Sequence, residues 1–254
     1  SIQSDIIKNM VSCLNKCDLS LAGIAIAPYL SGLSSLLEDE MELGVVCIDL
    51  GAASSSLSIF FRKNLIFSRS LRIGGQHITS DIMQAFQIPF LAAERLKVLH
   101  GGLLPTNSDD RETLELPESN TDLFTERRTI TKSELLGVIR PRVEEIFDSL
   151  RSILDQSDFE FLPGQKIVLT GGGSKLENIL DFASTFLGKP TRVAVPMRIQ
   201  GLPASAHGPE AAAVIGLALN LAQPQDEVWD FRAPFEHEGD EFIRRTLRWV
   251  KANW

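Results

Sequence analysis

The sequence predicts an α/β fold, and three observations support this class. An apolar run from Val45 to Ile48 ends at a turn of small residues, and an alternating run from Leu57 to Phe60 follows, which is typical of a two-stranded hairpin. A second apolar run, Lys166 to Thr170, leads into three consecutive glycines. Helical patterns separate these strands, so strands and helices alternate along the chain.

Composition restricts the class of protein further. With 254 residues, of which 44% are hydrophobic and 23% charged, the chain can bury a core as one large or two linked globular units. The net charge of -8 argues against a general nucleic-acid binder. The cysteine count is odd and contains no C-x-x-C pair, which favours a reducing, cytoplasmic setting. Cys13 and Cys17 are expected to be buried apolar residues rather than metal ligands.

The predicted elements are justified in chain order by periodicity and by their start and stop residues. Ile2 to Leu14 has helical spacing with no start signal before it, so the chain is expected to begin inside a domain. Thr131 and Glu134 form a capping box that opens a long amphipathic helix, kinked at Pro141. The other predicted elements are a strand over 23–27, a helix from Pro28 closing at Glu38–Glu40, a strand over 64–71, helices over 78–86 and 91–99, a mobile polar region over 105–129 with a strand near 113–116, and a helix starting at Ser174.

The hairpin turn is the first candidate site. Asp49 ends the apolar strand, and Gly51, Ala52, Ala53 and Ser54 follow. Small residues allow several backbone N–H groups to approach one anion, and an Asp at a strand end can hold a metal-bound water beside it. The turn is therefore suited to a nucleotide phosphate with Asp49 at the metal, although many such turns bind nothing.

The second candidate site is the glycine turn after Thr170. Gly171, Gly172 and Gly173 let an anionic ligand pack on backbone, and Lys175 follows in the predicted helix start. A dinucleotide fingerprint would require a third glycine where Leu176 stands. On the helix between the two sites, Glu94 and Lys97 share one face, which by itself also fits a surface ion pair.

The last residues form a separate pattern. Residues 223–241 are acidic and rich in proline, as in a flexible linker, and residues 242–254 separate into an apolar and a basic side on a helical projection. Such a helix is suited to the interface of an anionic bilayer, and the alternative is a helix docked on the protein's own core. The apolar side is Phe242, Ile243, Leu247, Trp249, Val250 and Trp254, and the basic side is Arg244, Arg245, Arg248 and Lys251.

Two small-residue turns after apolar strands, with an E-x-x-K helix between them, resemble the actin and Hsp70 class of ATPases. The similarity narrows to the FtsA family of bacterial cell-division proteins and covers nearly all of residues 1–222. The stretches that carry it are Glu38-Asp39-Glu40 with Glu42-Leu43-Gly44, Ile78-Thr79-Ser80-Asp81-Ile82, Ala93-Glu94-Arg95-Leu96-Lys97 with His100-Gly101, and Val168-Leu169-Thr170-Gly171-Gly172.

The resemblance implies an actin-like (ribonuclease H-like) ATPase fold, incomplete at the N-terminus, with a C-terminal amphipathic helix. ATP and Mg²⁺ are the implied cofactors, with Glu94 and Lys97 around the adenosine. The implied subdomains are 1C (end, 1–17), 1A (18–44 and the closing helix 201–222), 2A (45–73 and 134–200) and 2B (74–133), followed by the linker and the membrane-targeting helix.

The resemblance also implies a role. FtsA proteins anchor polymers of the tubulin-like protein FtsZ to the cytoplasmic face of the inner membrane at the division septum, and they self-associate into actin-like filaments with other divisome proteins. The FtsZ C-terminal peptide is expected over roughly residues 74–145, with Arg140 and Arg142 as candidates to meet its carboxylates, although both fit ordinary surface arginines nearly as well. No nucleic-acid partner is expected.

One departure from the family pattern concerns the phosphate loop. The family's loop usually reads D-x-G-G-G-T, whereas Ala52, Ala53 and Ser54 stand at its last three positions here. The added methyl groups and the missing upstream part predict weak ATP binding and little or no turnover. The alternative is a phosphotransferase or ATPase of the same superfold, similar to sugar kinases or Hsp70, with a merely structural C-terminal helix and Asp49 or Glu94 as the base.

Overall fold

The structure, a computed structural model, describes residues 4–104, 106, 108–116, 128–203 and 207–222. The chain divides into two units, one made of residues 1–25 and 223–254 and the other of residues 26–222. The predicted acidic linker and amphipathic tail therefore lie outside the described residues, as does part of the predicted mobile region. Among the helices of the described residues, none has the length and apolar character needed to span a bilayer.

The first unit contributes one described helix, α1 (Ser4–Asn15), which confirms the predicted helix. The expectation that Cys13 and Cys17 are buried is wrong, because both are exposed. The less exposed residues of α1 are Ile7, Val11 and Leu14, which form one stripe along the helix. Cys13 is offset from this stripe by about 120° at 100° per residue, whereas Cys17 lies beyond the end of α1, in the turn that follows it.

The second unit begins with two helices where one was predicted. Helix α2 (Ala27–Ser35) has Pro28 in its first turn, where proline's fixed φ is favourable, and α3 (Glu38–Leu43) starts at the acidic stretch predicted to close α2. Carboxylates favour a helix N-terminus, and Glu40 accepts a hydrogen bond from the Leu37 N–H at 3.1 Å. The strand predicted over 23–27 does not form, because no described strand lies beside it to pair its backbone groups.

The remaining elements confirm the predicted meander, the two helices around Pro89 and the long capped helix. They are β1 (Val45–Leu50), β2 (Ser55–Phe61), β3 (Asn64–Leu71), α4 (Gly75–Phe86), α5 (Phe90–His100), β4 (Thr113–Glu115), β5 (Thr129–Thr131), α6 (Lys132–Asp155), β6 (Lys166–Thr170), α7 (Ile179–Leu187), β7 (Thr191–Val193) and α8 (Ala212–Ala222). Strands β4 and β5 pair with each other as a separate antiparallel ribbon.

A five-stranded sheet with the order β3-β2-β1-β6-β7 forms the centre of the second unit. Strand β1 is antiparallel to β2 and parallel to β6, with Asp49 opposite Ser56 on one side and Thr170 on the other. Because β1 and β6 run in the same direction, both strands end at the same edge of the sheet. The residues that follow Leu50 and Thr170 are thereby brought together.

Strand β1 is buried on both faces, which explains its continuous apolar run. Val46, Ile48 and Leu50 belong to the larger core cluster, which also contains the apolar side of α6. Val45 and Cys47 belong to a smaller cluster on the opposite face. Helices therefore cover both faces of the sheet, as in other α/β folds.

Helices α2 and α8 are in close contact through glycine. Gly216 of α8 is buried, and a Cβ there would collide with the backbone of Leu30 in α2. Gly137 of α6 is also a helical glycine, but it is exposed and a Cβ there would meet nothing within 4 Å. Alanine at either position would raise helix propensity, but only at Gly216 would the added methyl group disturb helix packing.

We predict that Gly216→Ala destabilises the protein by about 1–3 kcal/mol, because the added methyl group forces α2 and α8 apart. Gly137→Ala should stabilise it by about 0.5–1 kcal/mol, because alanine loses less conformational entropy than glycine in a helix. Urea denaturation of both variants measures the two free energies of unfolding. Equal stabilisation by both substitutions would contradict the packing of α2 on α8.

Candidate functional site

The loop between β1 and β2 is a tight turn docked on α4. The Gly51 N–H donates to the Ser54 carbonyl at 3.0 Å, and a Cβ on Gly51 would lie only 2.7 Å from that oxygen, so this position requires glycine. The carbonyls of Gly51 and Ala52 accept hydrogen bonds from the N–H groups of Gly75 and Gln76, at 2.9 and 2.8 Å. The loop is thus fixed to the first turn of α4 by two hydrogen bonds.

The N–H groups of Ala52, Ala53 and Ser54 remain available in this loop. All three residues are exposed, and no described residue accepts a hydrogen bond from their amides. None of the three has a positive φ, so the alanines introduce no backbone strain. The departure from the family's glycines therefore consists of two added methyl groups, and the expected restriction of positive φ does not apply.

The turn after β6 also presents free amides. Gly171 has a φ of 82°, and a Cβ on it would collide with the Asp49 carboxylate, so glycine is required there too. Its N–H donates to the Pro209 carbonyl at 3.1 Å. No described residue accepts a hydrogen bond from the N–H of Gly172 or Gly173.

The helix predicted to begin at Ser174 begins later. Residues Gly172–Lys175 form a short 3-10 turn, and α7 starts only at Ile179. Asn178 has a left-handed φ of 63°, and Glu177 makes an isolated bridge to Gly102, so the chain leaves the helical path between the two segments. The free amides of this turn consequently belong to a loop rather than to the N-terminus of an α-helix.

The two loops touch each other at the shared edge of β1 and β6. A Cβ on Gly173 would lie 2.8 Å from Cβ of Leu50, the residue that precedes the first loop. Gly51, Gly75 and Gly173 line one small cavity of about 20 Å³ whose floor is apolar. The two predicted phosphate-binding turns are therefore neighbours, and their five amide N–H groups without an acceptor among the described residues are potential donors to an anion.

Asp49 lies between the two loops, under the glycine turn. Its Oδ2 accepts a hydrogen bond of 2.5 Å from Oγ of Ser31, a fully buried residue of α2. Burial raises the pKa of Asp49, and the Ser31 hydrogen bond offsets only part of this effect. Within the described part of the chain, no group of three or more His, Cys, Asp or Glu residues is placed to hold a metal ion. A cation at Asp49 would need phosphate oxygens or waters as its other ligands, as Mg²⁺ commonly uses.

Glu94 and Lys97 form a closed network beside the first loop. Lys97 Nζ donates to Glu94 Oε2 at 2.7 Å, to Thr79 Oγ1 at 2.8 Å and to the Gly75 carbonyl at 3.0 Å, so its three protons are all engaged. Thr79 donates to the same Glu94 oxygen at 2.5 Å. Burial alone would raise the pKa of Glu94, but the hydrogen bonds from Lys97 and Thr79 outweigh it and lower the pKa. This pair is therefore a partly buried network rather than a solvated surface pair.

Lys175 is placed at the outer side of the glycine turn. Its Nζ contacts Glu210 Oε1 at 2.8 Å, and both side chains are about half exposed. The hydrogen bond from Lys175 lowers the pKa of Glu210. The ion pair joins the glycine turn to the segment before α8, and its exposure leaves Lys175 accessible to a ligand.

The two arginines proposed for partner binding already have carboxylate partners. Arg142 contacts both Asp81 oxygens, at 2.6 and 2.9 Å, and Glu145 at 2.5 Å, which ties α6 to α4. Arg140 pairs with Glu144 one turn along α6 at 2.8 Å. A role for Arg140 and Arg142 in partner binding remains a prediction, as does that of the ten tail residues, which lie outside the described part.

Three contributors to the site are not predicted by the sequence: Ser31, Thr79 and Gly75. Each lies on a helix and reaches the site only through tertiary packing, although Thr79 belongs to one of the stretches that resemble the family. The pairing of Thr79 with Glu94 could be suspected from the short α4–α5 connection, which makes the two helices neighbours. No local pattern points from Ser31 to Asp49.

Similar solved structures identify the fold. MreB5 of Spiroplasma citri bound to ADP matches with a TM-score of 0.71 at 17% identity, covering 88% of this chain and 69% of that one. A chain of the PilM-PilN type IV pilus biogenesis complex matches with a TM-score of 0.64 at 22% identity, covering 86% of this chain and 58% of that one. The fold is the actin-like fold, which confirms the predicted fold class.

The particular family follows from sequence similarity. Residues 46–216 match the family model described as Cell division protein FtsA. Relatives of that name are 34% identical over 213 residues in Rhizobium meliloti (strain 1021) and 31% identical over 258 residues in Agrobacterium fabrum (strain C58), covering 84% and 100% of this chain. The chain belongs to the FtsA family of bacterial cell-division proteins. It spans 48% and 58% of the length of these two relatives.

We predict that Asp49→Asn stabilises the protein at neutral pH, because asparagine carries no charge to bury and can still accept the Ser31 hydrogen bond. The pKa of Asp49 in the folded protein lies above its ordinary value of 3.8. Between pH 3.8 and this raised pKa, Asp49 is protonated in the folded state and ionised in the unfolded state. The free energy of unfolding therefore falls as the pH rises through this range. Below pH 3.8 both states are protonated, and the advantage of asparagine should disappear.

Urea denaturation of Asp49→Asn at pH 7 and below pH 3.8 measures this difference. Asp148→Asn, at an exposed position of α6, is the control, and its free energy of unfolding should stay within about 0.5 kcal/mol of the wild-type value. If Asp49→Asn lowers the free energy of unfolding at pH 7, the buried carboxylate does not destabilise the folded protein and the prediction is wrong.

Proposed function

We propose that this FtsA-family chain binds the phosphates of ATP or ADP at the shared edge of β1 and β6. The observation that carries the proposal is the set of five unpaired amide N–H groups on two touching loops, at Ala52, Ala53, Ser54, Gly172 and Gly173. Exposed amides of this kind are ready donors to phosphate oxygens. The MreB5 structures with ADP and with AMPPNP support a nucleotide as the ligand, since they share the fold.

The roles of the neighbouring side chains follow from this proposal. Asp49 would hold Mg²⁺ or its waters, because it is a carboxylate without a cationic partner among the described residues. Lys175 would exchange Glu210 for a phosphate. Glu94 and Lys97 would border the adenosine, with Lys97 keeping the first loop and α4 together through Gly75.

The adaptor role is the second part of the proposal. The chain would anchor FtsZ polymers to the cytoplasmic face of the inner membrane, self-associate into filaments and contact other divisome proteins, within the subdomain division given by the family. Family membership and the amphipathic sequence of residues 242–254 support this role. Glu94 is a candidate general base for the alternative phosphotransferase, but it already accepts two hydrogen bonds, from Thr79 and Lys97. This arrangement favours weak ATP turnover, which fits the adaptor role.

The surface of α5 favours a docking position for the FtsZ peptide within residues 74–145. Leu91, Val98 and Leu99 of α5 are 60 to 82% exposed, and Arg95 lies on the same helix. An apolar surface with an arginine is suited to an acidic peptide that carries apolar side chains. Arg140 of α6 remains a candidate, whereas Arg142 would first have to release Asp81.

We predict that millimolar Mg-ATP raises the melting temperature of the chain and that Ala53→Asp strongly reduces this effect. A carboxylate in the loop would repel the phosphates, and the affinity should fall at least about tenfold. The double substitution Ala52→Gly with Ala53→Gly should tighten binding several-fold, because it removes the two methyl groups. Thermal unfolding at increasing Mg-ATP concentration gives the three dissociation constants.

The matched control is Ala218→Asp, which adds the same charge at an exposed position of α8. It should leave the shift in melting temperature unchanged. A wild-type protein without any shift, or an Ala53→Asp variant with the full shift, would overturn the proposed phosphate site.

We predict that Trp249→Glu combined with Val250→Glu abolishes co-sedimentation with vesicles of phosphatidylglycerol and phosphatidylethanolamine. The substitutions place two charges on the apolar side of the tail, where insertion into the bilayer interface requires apolar contact. Gln223→Glu combined with Gln225→Glu makes the same change in net charge outside the tail and should retain binding. Undiminished sedimentation of the first variant would remove the membrane-targeting role from residues 242–254.

A further inference from the structure

Helix α2 presents three buried serines toward the sheet and α8. Ser31 donates to the Asp49 carboxylate at 2.5 Å, Ser34 donates to the Ala212 carbonyl at 2.7 Å, and Ser35 is 3.4 Å from the Thr170 hydroxyl. All three side chains are at most 5% exposed. One helix thus contacts the last residues of both β1 and β6 through hydroxyl groups.

Among the described residues, Ser31 is the hydrogen-bond donor to the Asp49 carboxylate. Its other oxygen, Oδ1, accepts no hydrogen bond from a described residue and lies 2.3 Å from the position that a Cβ on Gly171 would take. Within the sheet, Asp49 lies opposite Ser56 of β2 and Thr170 of β6. The nearest titratable group on β1 itself is the buried Cys47 thiol, whose pKa is raised by burial and by the negative charge of Asp49.

We propose that Ser31 is a positioning residue of the phosphate site, which holds Asp49 through Oδ2 and thereby leaves Oδ1 beside the glycine turn. This inference rests on the proposed function, since the carboxylate is taken to face a nucleotide-bound cation. Hydroxyl donors of this kind fix the orientation of a metal-binding carboxylate, and their removal typically weakens the site about 10- to 100-fold.

The hydrogen bond also favours the charged form of Asp49. A hydroxyl that donates to a carboxylate stabilises the ion relative to the acid, so it opposes the effect of burial on the pKa. Loss of the Ser31 hydroxyl should therefore be detectable at the Asp49 carboxyl group itself, without any ligand.

The test compares Ser31→Ala, Ser31→Thr and Ser34→Ala. Carboxyl ¹³C NMR titration reports the pKa of Asp49, and the thermal shift with Mg-ATP reports affinity. Ser31→Ala should raise the Asp49 pKa and weaken Mg-ATP binding about tenfold. Ser31→Thr, which keeps the hydroxyl, should restore both values toward those of the wild type.

Ser34→Ala is the control for the loss of a buried hydroxyl from the same helix. It removes the bond to α8 and should lower the melting temperature, but the pKa of Asp49 should not change. An unchanged Asp49 pKa in Ser31→Ala, or an equal change in Ser34→Ala, would overturn the positioning role. A raised pKa in Ser31→Ala together with a wild type that binds no Mg-ATP would retain the Ser31–Asp49 interaction and reject the proposed function.

Discussion

The parallel pairing of β1 with β6 is the constraint on which the site depends. The two strands are separated by more than 110 residues, yet their pairing places Asp49 opposite Thr170 and brings both following loops to one edge. Antiparallel pairing would send the loops to opposite edges. Ligand sites at the carboxyl ends of neighbouring parallel strands are a general property of α/β sheets, and the proposed phosphate site lies at this edge.

Close backbone contact fixes the shape of this edge. Gly51 and Gly171 lie where a side chain would strike the Ser54 carbonyl or the Asp49 carboxylate, and the carbonyls of the first loop are held by the first turn of α4. These contacts use the loop's carbonyl groups and the Gly51 N–H, and they leave the N–H groups of Ala52, Ala53 and Ser54 without an acceptor among the described residues. The result is an edge with an excess of N–H groups, which supports the proposed phosphate site without requiring a cluster of basic side chains.

Buried polar groups around this edge are satisfied by packing partners. Lys97 has three acceptors, and Glu94 and Asp49 each accept from a neighbouring hydroxyl. Such groups are costly when left unpaired, so each network fixes the relative positions of the helices that supply it. The cost remains visible at Asp49, whose charge has no partner of opposite sign among the described residues and whose pKa is raised.

The sequence by itself determined the order and type of most elements, the two small-residue turns and the family. The continuous apolar runs of β1 and β6, the capping box of α6 and the glycines at Gly171–Gly173 are local patterns, and local patterns reflect local physics. It did not determine where α7 begins, because a left-handed Asn178 and a bridge to Gly102 interrupt the path. The exposure of Cys13 and Cys17, the division of α2 from α3 and the contact of Ser31 with Asp49 were decided only by the tertiary structure. Each depends on which distant surface lies against a residue, and no pattern within a few turns of chain encodes that surface.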